Sequence, residues 1–308
     1  MIILVINLLL LITIIMSSNN TRTRSKGYMP AIVFKTILAD RSASMESFQG
    51  KQYDMVEHLL NDAKKQASET NKQTHVKFVT FDNRVTTIID QDISSYNIDR
   101  DVIEDAMKPS SSTRFNDTLI EEIDSLILKK ENYLQSLSNK ARALNPDIAM
   151  VLIAITDGED NSSQHSMKGT REEMLQFRQN GGRAILMAAN MDAEEIGGKY
   201  GFNPEKSITV HNSNPIAIES CYRAVSSMAR NLSLGIDTSF TPFERASSQA
   251  LPPLQGNMGP PQLQRAMAMP LESIHDDDDN HPLLWTNFNS DLNGPLLTPP
   301  TLTRQYRQ

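Results

Sequence analysis

Between residues 32 and 232 the chain alternates short apolar runs with longer amphipathic stretches, and this rhythm constrains the fold more than any other feature of the sequence. Two of the runs, 148–155 and 184–189, are nearly continuous in apolar residues, as strands covered on both faces must be. Further strands are predicted over 32–39, 76–81, 85–89 and 207–210. Helices are predicted over 52–68, 101–107, 117–137, 171–179, 193–200 and 215–232. Their apolar residues recur at helical spacing, as Leu119, Ile123, Leu126 and Ile127 do. Strands joined by crossover helices specify an α/β domain with a doubly wound, mostly parallel sheet, whose ligands sit beyond the carboxyl ends of the strands.

Outside that rhythm the chain changes character. Residues 1–16 are apolar apart from Asn7 and Thr13, and Arg22, Arg24 and Lys26 follow them. The run is short for a spanning helix, which needs about 20 apolar residues, and it reads as a signal-type segment or membrane anchor. Basic residues on its carboxyl side place the domain on the cytoplasmic face of a membrane; a soluble or secreted product, or a leader left by a start codon read too early, are the alternatives. Four glycosylation sequons begin at Asn19, Asn116, Asn161 and Asn231. Two of them, Asn116 and Asn161, fall in polar loops where a glycan would obstruct a site, which again favours the cytoplasmic side. Residues 17–27 read as a linker. From 235 to 308 the expectation is a disordered tail: ten of the fifteen prolines lie in the last 73 residues, with an aspartate run at 276–279. Within it, the segment 282–288 carries the only tryptophan, Trp285, and reads equally as a docking segment or as apolar residues of no consequence. A net charge of −7 argues against a general nucleic-acid binder, and Cys221, the single cysteine, allows no intrachain disulfide.

The polar motifs fall where the strands end. After the first strand the sequence runs Asp40-Arg41-Ser42-Ala43-Ser44, an oxygen-rich turn that by itself could equally be a helix cap. A second polar loop, from Ser110 through Thr113 to Asp117, runs into a helix. The strand ending at Ile155 leads into Thr156-Asp157-Gly158. Three strand-to-helix loops therefore bring carboxylates and hydroxyls to one edge of the predicted sheet. Such a set is all hard oxygen, suited to Mg2+ or Mn2+ and unsuited to zinc.

In these residues the chain resembles the von Willebrand factor A family and its metal-ion-dependent adhesion site. The likeness covers roughly residues 28–234: Asp-x-Ser-x-Ser is present as Asp40, Ser42 and Ser44, the loop threonine as Thr113 with Asp117 after it, and Thr-Asp-Gly as Thr156, Asp157 and Gly158. The stretch Asn190-Met191-Asp192-Ala193 is similar to a segment of microbial and viral members. One departure is visible, since Ser110, Ser111 and Ser112 stand where the family usually has glycines. The resemblance implies Ser42, Ser44 and Thr113 as hydroxyl ligands, direct or through water, with Asp40 and Asp157 orienting them from behind. It implies a protein partner whose carboxylate completes the coordination, and no catalysis.

Two other functions compete with that expectation. In one, the domain is a scaffold whose metal site is never loaded and whose tail does the binding. In the other, Asp40 is the nucleophile of a metal-dependent phosphohydrolase, but Ser42 stands where such enzymes place their general acid. None of the six histidines has ligand-like spacing, and no phosphate-cradling glycine loop or nucleophile elbow is present.

Overall fold

A computed structural model describes residues 32–158 and 160–251. Its strands are β1 (Ile32–Asp40), β2 (Gln73–Phe81), β3 (Val85–Asp92), β4 (Ile148–Thr156), β5 (Gly182–Ala189) and β6 (Ser207–Val210). Its helices are α1 (Lys51–Thr70), α2 (Arg100–Ala106), α3 (Phe115–Ser136), α4 (Asn139–Ala143), α5 (Met167–Gln179), α6 (Ala193–Tyr200), α7 (Pro215–Ser233) and α8 (Pro242–Ser248), with short 3-10 turns at Ala43–Phe48, Ile93–Ser95 and Pro204–Lys206. The strands form one sheet in the order β3-β2-β1-β4-β5-β6. Only the β2–β3 pair is antiparallel. The doubly wound α/β architecture is therefore the one that the apolar periodicity implies.

Every residue of β1 and of β4 is buried, because helices cover the sheet on both sides. Ile37 and Ala39 of β1 face a core shared with α1 and α7, whereas Phe34 and Leu38 face a second core shared with α3 and α5. Burial at this scale contributes on the order of 1.5–3 kcal/mol for each large apolar side chain. Strand β3 lies at the sheet edge, and only Ile89 within it is buried. Strands β1 and β4 run parallel in register, with Ala39 opposite Ile155. Asp40 and Thr156 are thus the next positions on neighbouring strands and meet at one carboxyl edge.

The fold continues past residue 234, where the tail was expected to begin. Thr241 and Glu244 close a capping box at the start of α8. Arg245 of that helix donates to the carbonyls of Ser207 (2.7 Å) and Pro204 (3.0 Å), and its guanidinium lies 5.7 Å from the centre of the Phe240 ring. The Ser248 carbonyl accepts from the His211 backbone, and Lys206 pairs with Asp237. These interactions fix the segment against β6, which is why residues 235–251 belong to the domain despite their polar composition. No described helix is long and apolar enough to cross a membrane. The expected anchor at 1–16, the linker at 17–27 and the remainder of the tail from 252 lie outside the described residues.

Candidate metal site

Asp40 ends β1 with no exposed surface. The chain turns at once, and the turn is drawn back onto the carboxylate: the Ser42 backbone N–H donates to Oδ1 (2.7 Å) and the Thr156 hydroxyl to Oδ2 (2.7 Å). Met45 and Phe48, both buried, pin the 3-10 turn that follows. Ser42 Oγ lies 3.0 Å from Ser44 Oγ, and Ser44 Oγ donates to Asp157 Oδ1 at 2.7 Å. One connected string of oxygens therefore joins the β1 and β4 loops. Ser42 is buried, Asp157 half-buried and Ser44 exposed, so the string opens to solvent at its Ser44 end.

Thr113 joins from the third loop. Its backbone N–H donates to Asn161 Oδ1 (2.8 Å), and its carbonyl accepts from the backbone of Asn161 (3.0 Å) and Ser162 (3.1 Å). A methyl group built on Gly158 would lie 3.5 Å from Thr113 Oγ1 and 3.7 Å from Ser44 Oγ. Both hydroxyls therefore border the same small space over Gly158. The Ser110–Ser112 stretch reaches this position by a left-handed turn at Ser111 (φ 49°), a conformation that favours glycine. The turn is held by its neighbours: the Ser111 carbonyl accepts from Ala43, and the Ser110 N–H donates to the Arg41 carbonyl at 2.7 Å.

The expected group Asp40, Ser42, Ser44, Thr113 and Asp157 thus comes together at one sheet edge. Asp117 does not join it. Its carboxylate is buried and accepts from the backbone of Gln164 (3.0 Å) and His165 (2.8 Å), from Arg114 Nε (2.8 Å) and from His165 Nδ1 (2.7 Å). Burial alone would raise this carboxyl, but these donors outweigh it and hold it well below the usual carboxylate range. Asp117 is a clasp on the loop that carries Asn161. Asp160 works beside it, accepting from the Asn116 backbone at 2.7 Å. The sequence signal for these braces was the polar run after Gly158, although nothing local says which groups it meets. Asn116 is only 6% exposed and its amide donates to the His165 carbonyl, so the folded domain offers no room for a glycan there.

The electrostatics favour a cation. Burial raises the Asp40 carboxyl to about 6, against the hydrogen bonds from Ser42 and Thr156, and the charge of Asp157 pushes it the same way. Burial raises Asp157 as well. Among the described residues no lysine or arginine pairs with either acid; Arg41, the nearest in sequence, is held by Asp82 at 3.1 Å. Among the described residues, no cluster of three or more His, Cys, Asp and Glu side chains converges as a metal site. The donor set here is hydroxyl-rich instead, which fits a hard divalent ion.

No protein-family model matches the chain. No curated protein matches it either. Among solved structures it is similar to proximal thread matrix protein 1 from the mussel byssus (18% identity, TM-score 0.42, 65% of this chain and 47% of that one). A related structure of that protein is described as having a zinc-occupied MIDAS motif. It is also similar to a von Willebrand factor type A protein from Catenulispora acidiphila (13% identity, TM-score 0.42, 66% of this chain and 43% of that one). Manganese-loaded TRAP protein of Plasmodium vivax is a further likeness (16% identity, TM-score 0.35, 52% of this chain and 58% of that one). The chain spans less than half the length of the first two proteins. At this level the likeness is one of shape, and the site stands on its own residues.

Proposed function

We propose that this domain is a divalent-metal-dependent protein-binding module. Ser42, Ser44 and Thr113 would hold Mg2+ or Mn2+ directly or through water, and Asp40 and Asp157 would fix the hydroxyls and supply negative charge. Bound there, the ion would act as an electrophilic contact whose coordination a carboxylate of the partner completes. The observation that carries the reading is a buried and a half-buried carboxylate, Asp40 and Asp157, with no basic partner among the described residues, beside three hydroxyls whose cluster reaches solvent at Ser44. A protein partner presenting an acidic residue follows from the coordination, because three hydroxyls leave a six-coordinate ion with open positions that a partner carboxylate can fill. Binding rather than catalysis is favoured by the state of Asp40. Both its oxygens are engaged and the residue has no exposed surface, so it offers no free oxygen for nucleophilic attack.

Calorimetric titration of the full chain tests this. Mg2+ or Mn2+ should bind, and Ser42→Ala or Asp157→Ala should weaken binding by about tenfold or more, equivalent to about 1.4 kcal/mol, while the folded circular-dichroism signal persists. Thr113→Ala tests the third loop in the same way. The metal should also raise the melting temperature, since it binds only the folded chain. Absence of binding up to millimolar metal in the wild type would refute the proposal and leave the scaffold function.

A further inference from the structure

A cavity of about 440 Å3 opens beside the metal loops, between the β2–β3 edge of the sheet and α2. Arg41 lines it and belongs to both features, since it stands between Asp40 and Ser42 and its carbonyl anchors Ser110. One wall residue, Arg41, is therefore part of the same turn as Asp40 and Ser42.

The chemistry of the wall selects a class of ligand. Ile88 and Val102 supply apolar surface, and Val102 is 41% exposed although it sits on a helix that packs against the core. Asp101 and Asp105 stand on the same wall. The Asp105 partner is Lys108, in an ion pair at the surface whose members are each mostly exposed, and water screens such pairs heavily. Asp101 has no cationic partner among the described residues, because neighbouring Arg100 is occupied by Asp54, Glu57 and Glu104. The one positive group in the wall, Arg41, is paired with buried Asp82, and what remains of its charge acts on Asp105, so Asp101 is the acid in the wall left without a cation among the described residues. Two polar atoms in the same wall are buried without a hydrogen-bond partner, Thr80 Oγ1 and Arg41 Nε. A ligand suited to this wall needs an aliphatic stem, a cationic end and a nearby carbonyl oxygen, which together describe a basic side chain on a peptide backbone.

We propose that this cavity receives a lysine or arginine side chain from the same protein partner whose carboxylate completes the metal site, so that the recognised element is an acidic residue with a basic residue close by. The inference rests on the metal-dependent binding proposed above, and it adds the feature that distinguishes one acidic partner from another. Without such a second contact any exposed carboxylate would serve, and the site would have little specificity.

Labelled octapeptides of glycine and serine carrying one aspartate test it, with lysine, or norleucine in its place, at one to four residues' distance. Anisotropy is measured against the full chain with Mn2+. At its best spacing the lysine peptide should bind about fivefold tighter than its norleucine control, the gain expected of a partly exposed ion pair. The double variant Asp101→Asn, Asp105→Asn should erase that difference and leave the control peptide and Mn2+ binding unchanged. Equal binding of lysine and norleucine peptides at every spacing overturns the inference. If no aspartate peptide binds at all, the partner-carboxylate part of the proposed function fails, and the cavity is then decided alone. With chelator present, Nα-acetyl-lysine methylamide at millimolar concentration should shift the methyl resonances of Ile88 and Val102, and unmoved methyls refute it.

Discussion

Lys35 lies on the central strand β1, only 3% exposed, five positions before Asp40. Burial lowers its ammonium from 10.5 to about 8, against the attraction of Asp62. Among the described residues its side chain makes one hydrogen bond, a long one of 3.4 Å to Gln66 Oε1. Asp62 is already engaged by the Ser226 hydroxyl and by His58 at 3.4 Å, which weakens its hold on the lysine. Replacing Lys35 with methionine keeps an unbranched stem of similar length and removes the charge. Holding the charged form at a value near 8 rather than 10.5 costs about 3 kcal/mol at pH 7, at 1.36 kcal/mol for each pH unit. Leaving Gln66 Oε1 without its donor gives back about 1 kcal/mol. Lys35→Met should therefore stabilise the domain at pH 7 by about 2 kcal/mol. Because the folded-state value is lowered, the unfolded chain holds more protons between pH 8 and 10.5, and wild-type stability gains across that window. The advantage of the variant should shrink through the same window and end about 1 kcal/mol below the wild type, where lysine is neutral in both states. Urea unfolding of both proteins between pH 6.5 and 11 measures the difference directly. A variant less stable than the wild type at pH 7, or a difference that does not change with pH, would mean that the attraction to Asp62 outweighs burial.

Asp117→Asn should destabilise the domain by about 2 kcal/mol at pH 7, because a charged acceptor of four groups is lost, and should open residues 160–165 to limited proteolysis. Since the folded-state carboxyl lies below its ordinary value, that deficit should fade as the pH falls through and below the ordinary carboxylate range; equal stability at pH 7 refutes the clasp. Thr156→Val removes the donor to Asp40 Oδ2 and should cost about 1–3 kcal/mol in thermal unfolding, with Thr156→Ser recovering most of it; a harmless valine would show that the hydrogen bond contributes nothing. Gly182→Ala places a methyl 2.4 Å from the ring of Phe177, which is fully buried and cannot swing away, so a loss of about 1–3 kcal/mol is expected in urea titration and an unchanged midpoint refutes the contact.

Much of this protein is written locally. The apolar runs of β1 and β4 and the helical stripe at Leu119, Ile123 and Leu126 fix the element types, because burial on two faces and burial on one leave different periods. The β4 and β5 runs fall within strands that are only one or two residues longer than read, and β6 keeps its predicted limits. Asp40, Ser42, Ser44 and Asp157 were legible for a related reason: a parallel sheet gathers the residues just after its strands at one edge, whatever the strand order. Even the start of α8 was written, as Thr241 and Glu244, but their capping pattern was masked by the proline-rich composition around it. What the sequence left open were the pairings. The Thr156 hydroxyl serves Asp40 across 116 residues, Asp117 meets His165 across 48, and Arg41 turns to Asp82, which leaves Asp40 and Asp157 without a cation among the described residues. Lys35 carries no local sign of being buried. Its neighbours along β1 say only that it lies in a strand, and its cost is set by helices that arrive from elsewhere in the chain. Secondary structure and the membership of a sheet edge depend on short-range sterics and apolar period. The partner of a polar group depends on which loops and helices the packed core brings within about 3 Å of it, and only the tertiary fold decides that.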